Sequence, residues 1–215
     1  MNRRLALKQL AALAALSSLG AVSYAQRAGG PAFQTLPTKV PTEAAGKVEV
    51  IEFFSYGCPH CHDFEPLLNE WAKGLAGDVN FIKVPITFNR DQWTVLARIY
   101  YTLEALGELG KQHAAVFAAL HDRRVPLYQE ATLFDWVASQ GVDRKRFTDA
   151  YKSFGVQSRL QRANQIAAAY RVSGVPLMAV NGRYVVSAST AGGYDAMLKT
   201  VDELIARSRN DKGRG

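Results

Sequence analysis

The only two cysteines of this 215-residue chain, Cys58 and Cys61, sit three apart in Phe53-Phe54-Ser55-Tyr56-Gly57-Cys58-Pro59-His60-Cys61. A CxxC pair can close a small disulfide ring, attack another protein's disulfide, or supply half of a tetrahedral metal site. A structural zinc site usually draws four Cys or His ligands from two separated pairs. Here the remaining candidates are His60, His62, His113 and His121, and the last two are eight residues apart, wider than the usual His-x3-5-His spacing. A purely structural disulfide gains little across so short a loop, because the entropic benefit of a cross-link grows with loop length. Redox chemistry is the reading that these residues favour.

The start of the chain supplies a compartment for that chemistry. Arg3, Arg4 and Lys8 form a basic lead, residues 9–22 are rich in Ala and Leu, and Ser23-Tyr24-Ala25 is a small-x-small cleavage site. Residues 1–25 therefore read as a cleaved signal peptide. An uncleaved anchor would need about 20 apolar residues, and Ser17, Ser18 and Gly20 interrupt this stretch. Arg3-Arg4 also gives a partial twin-arginine pattern. Either export route ends where disulfides persist. Losing the three charges of Arg3, Arg4 and Lys8 takes the formal net charge from +7 to +4. The basic residues that remain are scattered along helix-like stretches, as with Arg159, Arg162 and Arg171. That pattern speaks against a nucleic-acid stripe.

The cysteines need a scaffold, and the remaining roughly 190 residues suffice for a domain with a substantial core or one carrying a large insertion. Residues 26–47 read as a loose lead-in with a short edge strand at Phe33 to Leu36, and residues 208–215 as frayed. Val48 to Phe54 is a strand, apolar on both faces toward its end. From Pro59 onward, Cys61, Phe64, Leu67/Leu68, Trp71 and Leu75 recur at helical spacing, and Pro59 suits a first turn. Cys58 therefore lies where a helix begins. Asp78 to Pro85 reads as a second strand. Residues 91–171 are almost wholly helical in pattern, broken once at Gly141-Val142-Asp143, with Asp143 a capping residue. Asn181-Gly182 between Leu177–Val180 and Arg183–Val186 is a strong hairpin signal. A last helix spans about Tyr194 to Arg207.

This order of elements, with CxxC opening the first helix and Gly174-Val175-Pro176 before the hairpin, resembles an α/β thioredoxin fold with an inserted α-helical domain. The expected division is 26–90 with 171–208 for the thioredoxin-like part and 91–170 for the insertion. More narrowly, Glu52-Phe53-Phe54-Ser55, Cys58-Pro59-His60-Cys61, Phe64-Glu65, Gly174-Val175-Pro176 and Val180-Asn181-Gly182 together resemble the DsbA family of bacterial thiol:disulfide interchange proteins.

The resemblance implies a protein disulfide oxidoreductase in the periplasm of a Gram-negative bacterium. It would donate a Cys58–Cys61 disulfide to reduced, unfolded exported proteins and be reoxidised by a quinone-linked membrane partner of the DsbB type. A monomer is expected, with no cofactor beyond the disulfide itself and no metal. Cys58 would be the exposed nucleophile, held as thiolate by the helix start and His60. Cys61 would be buried, and Glu52 would be the acid that handles its proton. Lys83 reads as an exposed strand-end lysine that could pair with Glu52, and Glu65 as a solvated helix residue. Pro176 would be cis, with Pro59, Val175 and Pro176 meeting substrate and His60, Val175 and Pro176 bordering an apolar groove with the helical domain. The Val175 backbone would pair with an extended peptide. Other readings remain open: a reductase or isomerase of the same fold, a non-catalytic peptide-binding or chaperone module, and a metal carrier.

Overall fold

The computed structural model describes residues 31–43 and 45–212. The expected signal peptide, residues 1–25, lies outside the described residues. Among the described residues five strands form one sheet: β1 (Gln34–Thr35), β2 (Val48–Phe54), β3 (Val79–Pro85), β4 (Leu177–Val180) and β5 (Tyr184–Ser187), in the spatial order β1-β5-β4-β2-β3. Strand β3 runs parallel to central β2, and the other pairings are antiparallel. Helix α1 (Pro59–Lys73) links the parallel pair, as a crossover must. Between β3 and β4 the chain builds α2 (Asp91–Ala105), α3 (Leu109–His121), α4 (Glu130–Ser139), α5 (Arg144–Tyr151) and α6 (Phe154–Ala169). After β5 come one turn of helix, α7 (Ala188–Ala191), and α8 (Tyr194–Lys212).

Every residue of β2 is buried, because both faces of the sheet are covered. Side chains alternate across a strand, and two cores divide accordingly. Val48 and Val50 join Met178, Val180 and Val186 beneath Phe64 and Leu68 of α1 and Met197, Val201 and Leu204 of α8. Ile51 and Phe53 join Ala179 and the helical block through Leu96, Ile99, Leu103, Phe117 and Leu160. Each such fully buried Leu, Ile or Phe contributes roughly 1.5–3 kcal/mol.

The helical stretch is broken more often than the single expected interruption. Turns at Leu106–Glu108, Asp122–Gln129 and Lys152–Ser153 also separate helices, because the amphipathic pattern carries across short turns that preserve the buried face. Asp143 does cap α5, its carboxylate accepting from Arg146 N at 2.7 Å. Helix α8 continues through Lys212 where fraying was expected, its own Ser208 being fully buried, and residues 213–215 lie outside the described residues. Leu67, expected on the buried face of α1, is 41 % exposed; Leu68 alone fills that position of the core. Among the described residues no helix is long and apolar enough to cross a membrane.

The hairpin turn uses Asn181 and Gly182, both at positive φ (51° and 70°) as a tight two-residue loop demands. Gly182 has a second duty. The lead-in chain pairs with it, Val40 N donating to its carbonyl at 2.7 Å, and a Cβ on Gly182 would sit 1.9 Å from the Val40 carbonyl oxygen. Gly182→Ala is expected to cost about 2–4 kcal/mol, combining left-handed strain with overpacking. A drop in the urea midpoint at unchanged slope checks this.

Candidate active site

The site is assembled on the turn between β2 and α1. Ser55 accepts from the Gly57 N–H at 3.1 Å and, through its carbonyl, from the Cys58 N–H at 3.0 Å, which reverses the chain at the strand end. Gly57 is the point where α2 presses on this turn, since a Cβ there would lie 2.9 Å from Trp93 Nε1. Cys58 is the N-cap residue of α1 in extended conformation, and its carbonyl accepts from the Cys61 and His62 N–H groups at 3.1 and 3.2 Å. Pro59 opens the helix. Cys61 falls one turn in, on the buried face, with no exposed surface.

Both cysteines are free thiols, the reduced state of the pair. They are strongly unequal. The Cys61 thiol donates to Cys58 Sγ, the backbone N–H groups of Cys61 and His60 point at the same sulfur, and His60 adds a favourable charge interaction. Against the cost of burial, these lower the Cys58 pKa from 9.0 to about 6. At pH 7 such a group is about nine-tenths thiolate. A 3.5 Å contact from Cys58 Sγ–H to the Val175 carbonyl favours the thiol, but S–H is a weak donor and the N–H groups outweigh it. Burial pushes the Cys61 thiol far up, and its hydrogen bond to Cys58 adds to the shift. Cys58 is not the exposed nucleophile expected: only 6 % of its surface is accessible, because the turn and the Val175 segment close over it while Pro59 and His60 stay outside.

Behind the cysteines lies a buried polar cluster. Glu52 and Lys83 are register partners on β2 and β3, which puts both side chains on one face of the sheet. Lys83 Nζ donates to Glu52 Oε2 and to Glu65 Oε2, each at 2.8 Å. Glu65 Oε1 lies 3.0 Å from His113 Nε2, close but poorly aligned, and the Tyr56 hydroxyl lies 2.6 Å from His113 Nδ1. Glu52 has no exposed surface and Glu65 has 4 %. Burial raises the Glu52 pKa from 4.5 to about 7; Lys83 opposes this and the Glu65 charge reinforces it. Burial also pushes Glu65 up, but His113 and Lys83 outweigh it and hold its carboxyl below 4.5. For Lys83 the burial cost is outweighed by Glu52 and then Glu65, so its charge persists. Burial keeps His113 neutral by lowering its pKa.

On the other side of Cys58 stands the segment Gly174-Val175-Pro176, with the Val175–Pro176 bond cis. It forms one wall of a cleft of about 860 Å³ whose other walls come from β1, the β5–α7 junction, His60 and Tyr194. Tyr194 ties α8 to the site by donating its hydroxyl to the His60 carbonyl at 3.0 Å. Among the described residues no cluster of three His, Cys, Asp or Glu side chains is placed to hold a metal ion.

A CxxC pair at a helix start, with the cis Val175–Pro176 segment against its first sulfur, can be compared with known proteins. Residues 49–200 match the model of the DSBA-like thioredoxin domain. The chain belongs to this DsbA-like family. It is 43 % identical to the thiol:disulfide interchange protein DsbA of Bordetella parapertussis, over 93 % of this chain and 94 % of the relative. To the protein of that name from Azotobacter vinelandii it is 40 % identical, over 97 % and 99 %. The crystal structure of Pseudomonas aeruginosa DsbA superposes with a TM-score of 0.82 at 38 % identity, covering 86 % of this chain and 95 % of that one. The chain is thus a thiol:disulfide oxidoreductase with a thioredoxin fold and a helical insertion.

For a DsbA-like chain, the structure gathers Cys58, Cys61, His60, Glu52, Val175 and Pro176 within one site. Two expectations are corrected. Lys83 is not an exposed strand-end lysine, and Glu65 is not a solvated helix residue; each is drawn inward because two carboxylates and one ammonium satisfy one another there. The groove is bordered by His60, Val175 and Pro176 as expected, but of the helical insertion only Tyr170 reaches it. It lies mainly against β1 and β5, and Thr35, Ser173, Ser187, Ser189 and Thr190 give it a hydroxyl-rich wall. Pro59 does not line it. Sequence reasoning missed Tyr56, His113 and His121. The signal was the eight-residue spacing of the two histidines, which places them on one helix face: His113 meets the Tyr56 hydroxyl, and His121 Nε2 donates to the Tyr56 carbonyl at 2.8 Å. Helix α3 thereby grips the redox turn at two points.

Proposed function

We propose that the chain donates a Cys58–Cys61 disulfide to reduced, unfolded proteins exported to the periplasm, and that a DsbB-like quinone-linked membrane protein restores the disulfide. The observation that carries this reading is the inequality of the two sulfurs. Three donors converge on Cys58 and favour its thiolate, while Cys61 is buried and held as thiol. A stabilised thiolate makes the dithiol the favoured partner of the redox couple, so the disulfide is readily given away.

A substrate thiolate attacks Cys58 Sγ, the Cys58–Cys61 bond breaks, and its electron pair leaves on Cys61, which takes a proton. A second substrate thiolate then attacks the mixed disulfide and expels Cys58 as a stable thiolate. The substrate is oxidised by two electrons and the chain is reduced by two. Glu52 is the proposed proton carrier for Cys61, the Val175 backbone and Pro176 the docking wall for an extended peptide, and His60 a stabiliser of the thiolate. No cofactor beyond the cysteine pair is required, and the chain acts as a monomer. Residues 1–25 act as a cleaved signal peptide. The proposed parts are 26–90 with 171–208 for the redox domain and 91–170 for the insertion.

Equilibration with glutathione tests the direction. The dithiol is expected to survive until the buffer is almost entirely oxidised glutathione; a pair that oxidises readily in mostly reduced glutathione would make the chain a reductase. The same thiolate links stability to pH. Because the folded pKa of Cys58 lies below the unfolded one, its stabilisation of the reduced protein is complete above about pH 9 and lost as pH falls through about 6. Urea midpoints of the reduced protein are expected to rise over that window relative to Cys58→Ser. Parallel curves for the two proteins would remove the thiolate from the argument.

A further inference from the structure

We propose that His113 is a positioning residue for proton transfer at Cys61: pinned by the Tyr56 hydroxyl, it holds Glu65 as the ionised partner of Lys83 and thereby leaves Glu52 as the carboxyl that carries the proton. This rests on the proposed reading of Glu52 and deepens it.

The geometry is asymmetric in a way that only His113 supplies. Lys83 bridges the two buried carboxylates with equal 2.8 Å contacts, so the lysine does not distinguish them. Two carboxylates sharing one cation in a low-dielectric site cannot both ionise at ordinary cost. Neither Glu52 Oε1 nor Glu65 Oε1 has an aligned hydrogen-bond partner; what separates them is His113 Nε2, which stands 3.0 Å from Glu65 Oε1.

The tautomer follows from Glu65. A carboxylate only accepts, so the His113 nitrogen 3.0 Å from it carries the ring's proton, and Nδ1 is left to accept from the Tyr56 hydroxyl across the 2.6 Å contact. The proton of neutral His113 is then on Nε2, facing Glu65. Other titratable groups around His113 are Tyr100 of α2, with ring centroids 5.9 Å apart, and Lys83 of β3. Phe54 and Phe117 pack edge-on against the ring at 5.4 Å and complete its surroundings.

The proton therefore resides on Glu52, whose carboxylate form is near enough to Cys61 to raise the thiol pKa. When the Cys58–Cys61 bond breaks, the electron pair stays on Cys61 Sγ and the Glu52 O–H proton moves to it. The carboxylate left behind remains paired with Lys83, which reaches solvent through the 14 % of its side chain that is exposed and so gives the proton a way back.

Carbon-13 carboxyl titration of Glu52 and Glu65 in the reduced protein tests this without any turnover. His113→Phe keeps an aromatic ring in the aromatic nest and removes the donor. In that variant the Glu52 midpoint is expected to fall and the Glu65 midpoint to rise, by about one pH unit, with the pH–rate profile of substrate oxidation shifting down alongside Glu52. His113→Gln, which restores an N–H toward Glu65, should recover much of the wild-type order. Tyr56→Phe should produce a smaller shift of the same sign, and it carries the test if His113→Phe does not fold. Unchanged Glu52 and Glu65 midpoints in a folded His113→Phe or Tyr56→Phe protein overturn the proposal. A Glu52→Gln protein that oxidises substrate at the wild-type rate removes the parent reading instead, and the carboxyl titrations distinguish the two failures.

Discussion

Cys58→Ser is expected to reduce disulfide transfer to the uncatalysed background, and Cys61→Ser to stop the cycle at covalent adducts with substrate. The difference follows from the two environments. Cys58 is the sulfur on which the Cys61 thiol and the backbone N–H groups converge, with a pKa of about 6, so it supplies the reactive anion at neutral pH. Serine has no comparable anion there. In Cys61→Ser the nucleophile survives without the neighbour that would release it, so a mixed disulfide formed with a substrate persists. Non-reducing gels and mass spectrometry of the Cys61→Ser protein, mixed with an oxidised or partly oxidised unfolded substrate, should show a one-to-one adduct that dithiothreitol dissolves. Full activity in Cys58→Ser would instead favour a peptide-binding module in which the cysteines are passive.

The second large effect is expected from Glu52→Gln. The substitution preserves shape and leaves an oxygen for Lys83 Nζ, now 2.8 Å from Glu52 Oε2, but it removes the exchangeable proton. A positioned general acid or base typically contributes about 10²–10⁴-fold. Lys83 and Glu65 remain nearby as a partial substitute, so a slowing of about 10–100-fold at pH 7 is expected, below or at the lower end of that range. The pH dependence carries the sign. Glu52 titrates at about 7 and holds its proton below that pH, so donation to the leaving Cys61 weakens as pH rises past 7 in the wild type. The variant should lack that inflection. Stopped-flow oxidation of a reduced peptide from pH 5.5 to 8.5, with urea unfolding to confirm the fold, makes the comparison; identical profiles would take Glu52 out of the reaction.

Much of the scaffold was legible from local pattern. The all-buried β2, the helix opened by Pro59, the Asn181-Gly182 hairpin and the Asp143 cap are each dictated within a few residues of chain. What local pattern misjudged was polarity in the interior. A lysine near a strand end and a glutamate on a helix are usually solvated, and Lys83 and Glu65 depart from this only because each finds the other, 18 residues away in sequence, together with Glu52. His113 is more remote still, 57 residues from Tyr56.

The sequence alone narrowed the chemistry: two cysteines one helical turn apart at a strand-to-helix junction place one sulfur beside the free N–H groups of the helix start and turn the other onto the helix's apolar face. Only tertiary structure decided the proton handling. Buried carboxylates, an ammonium and an imidazole are costly individually and tolerable together, so their roles are set by which of them meet, and that depends on the register of β2 with β3 and on where the inserted α3 lands against the turn.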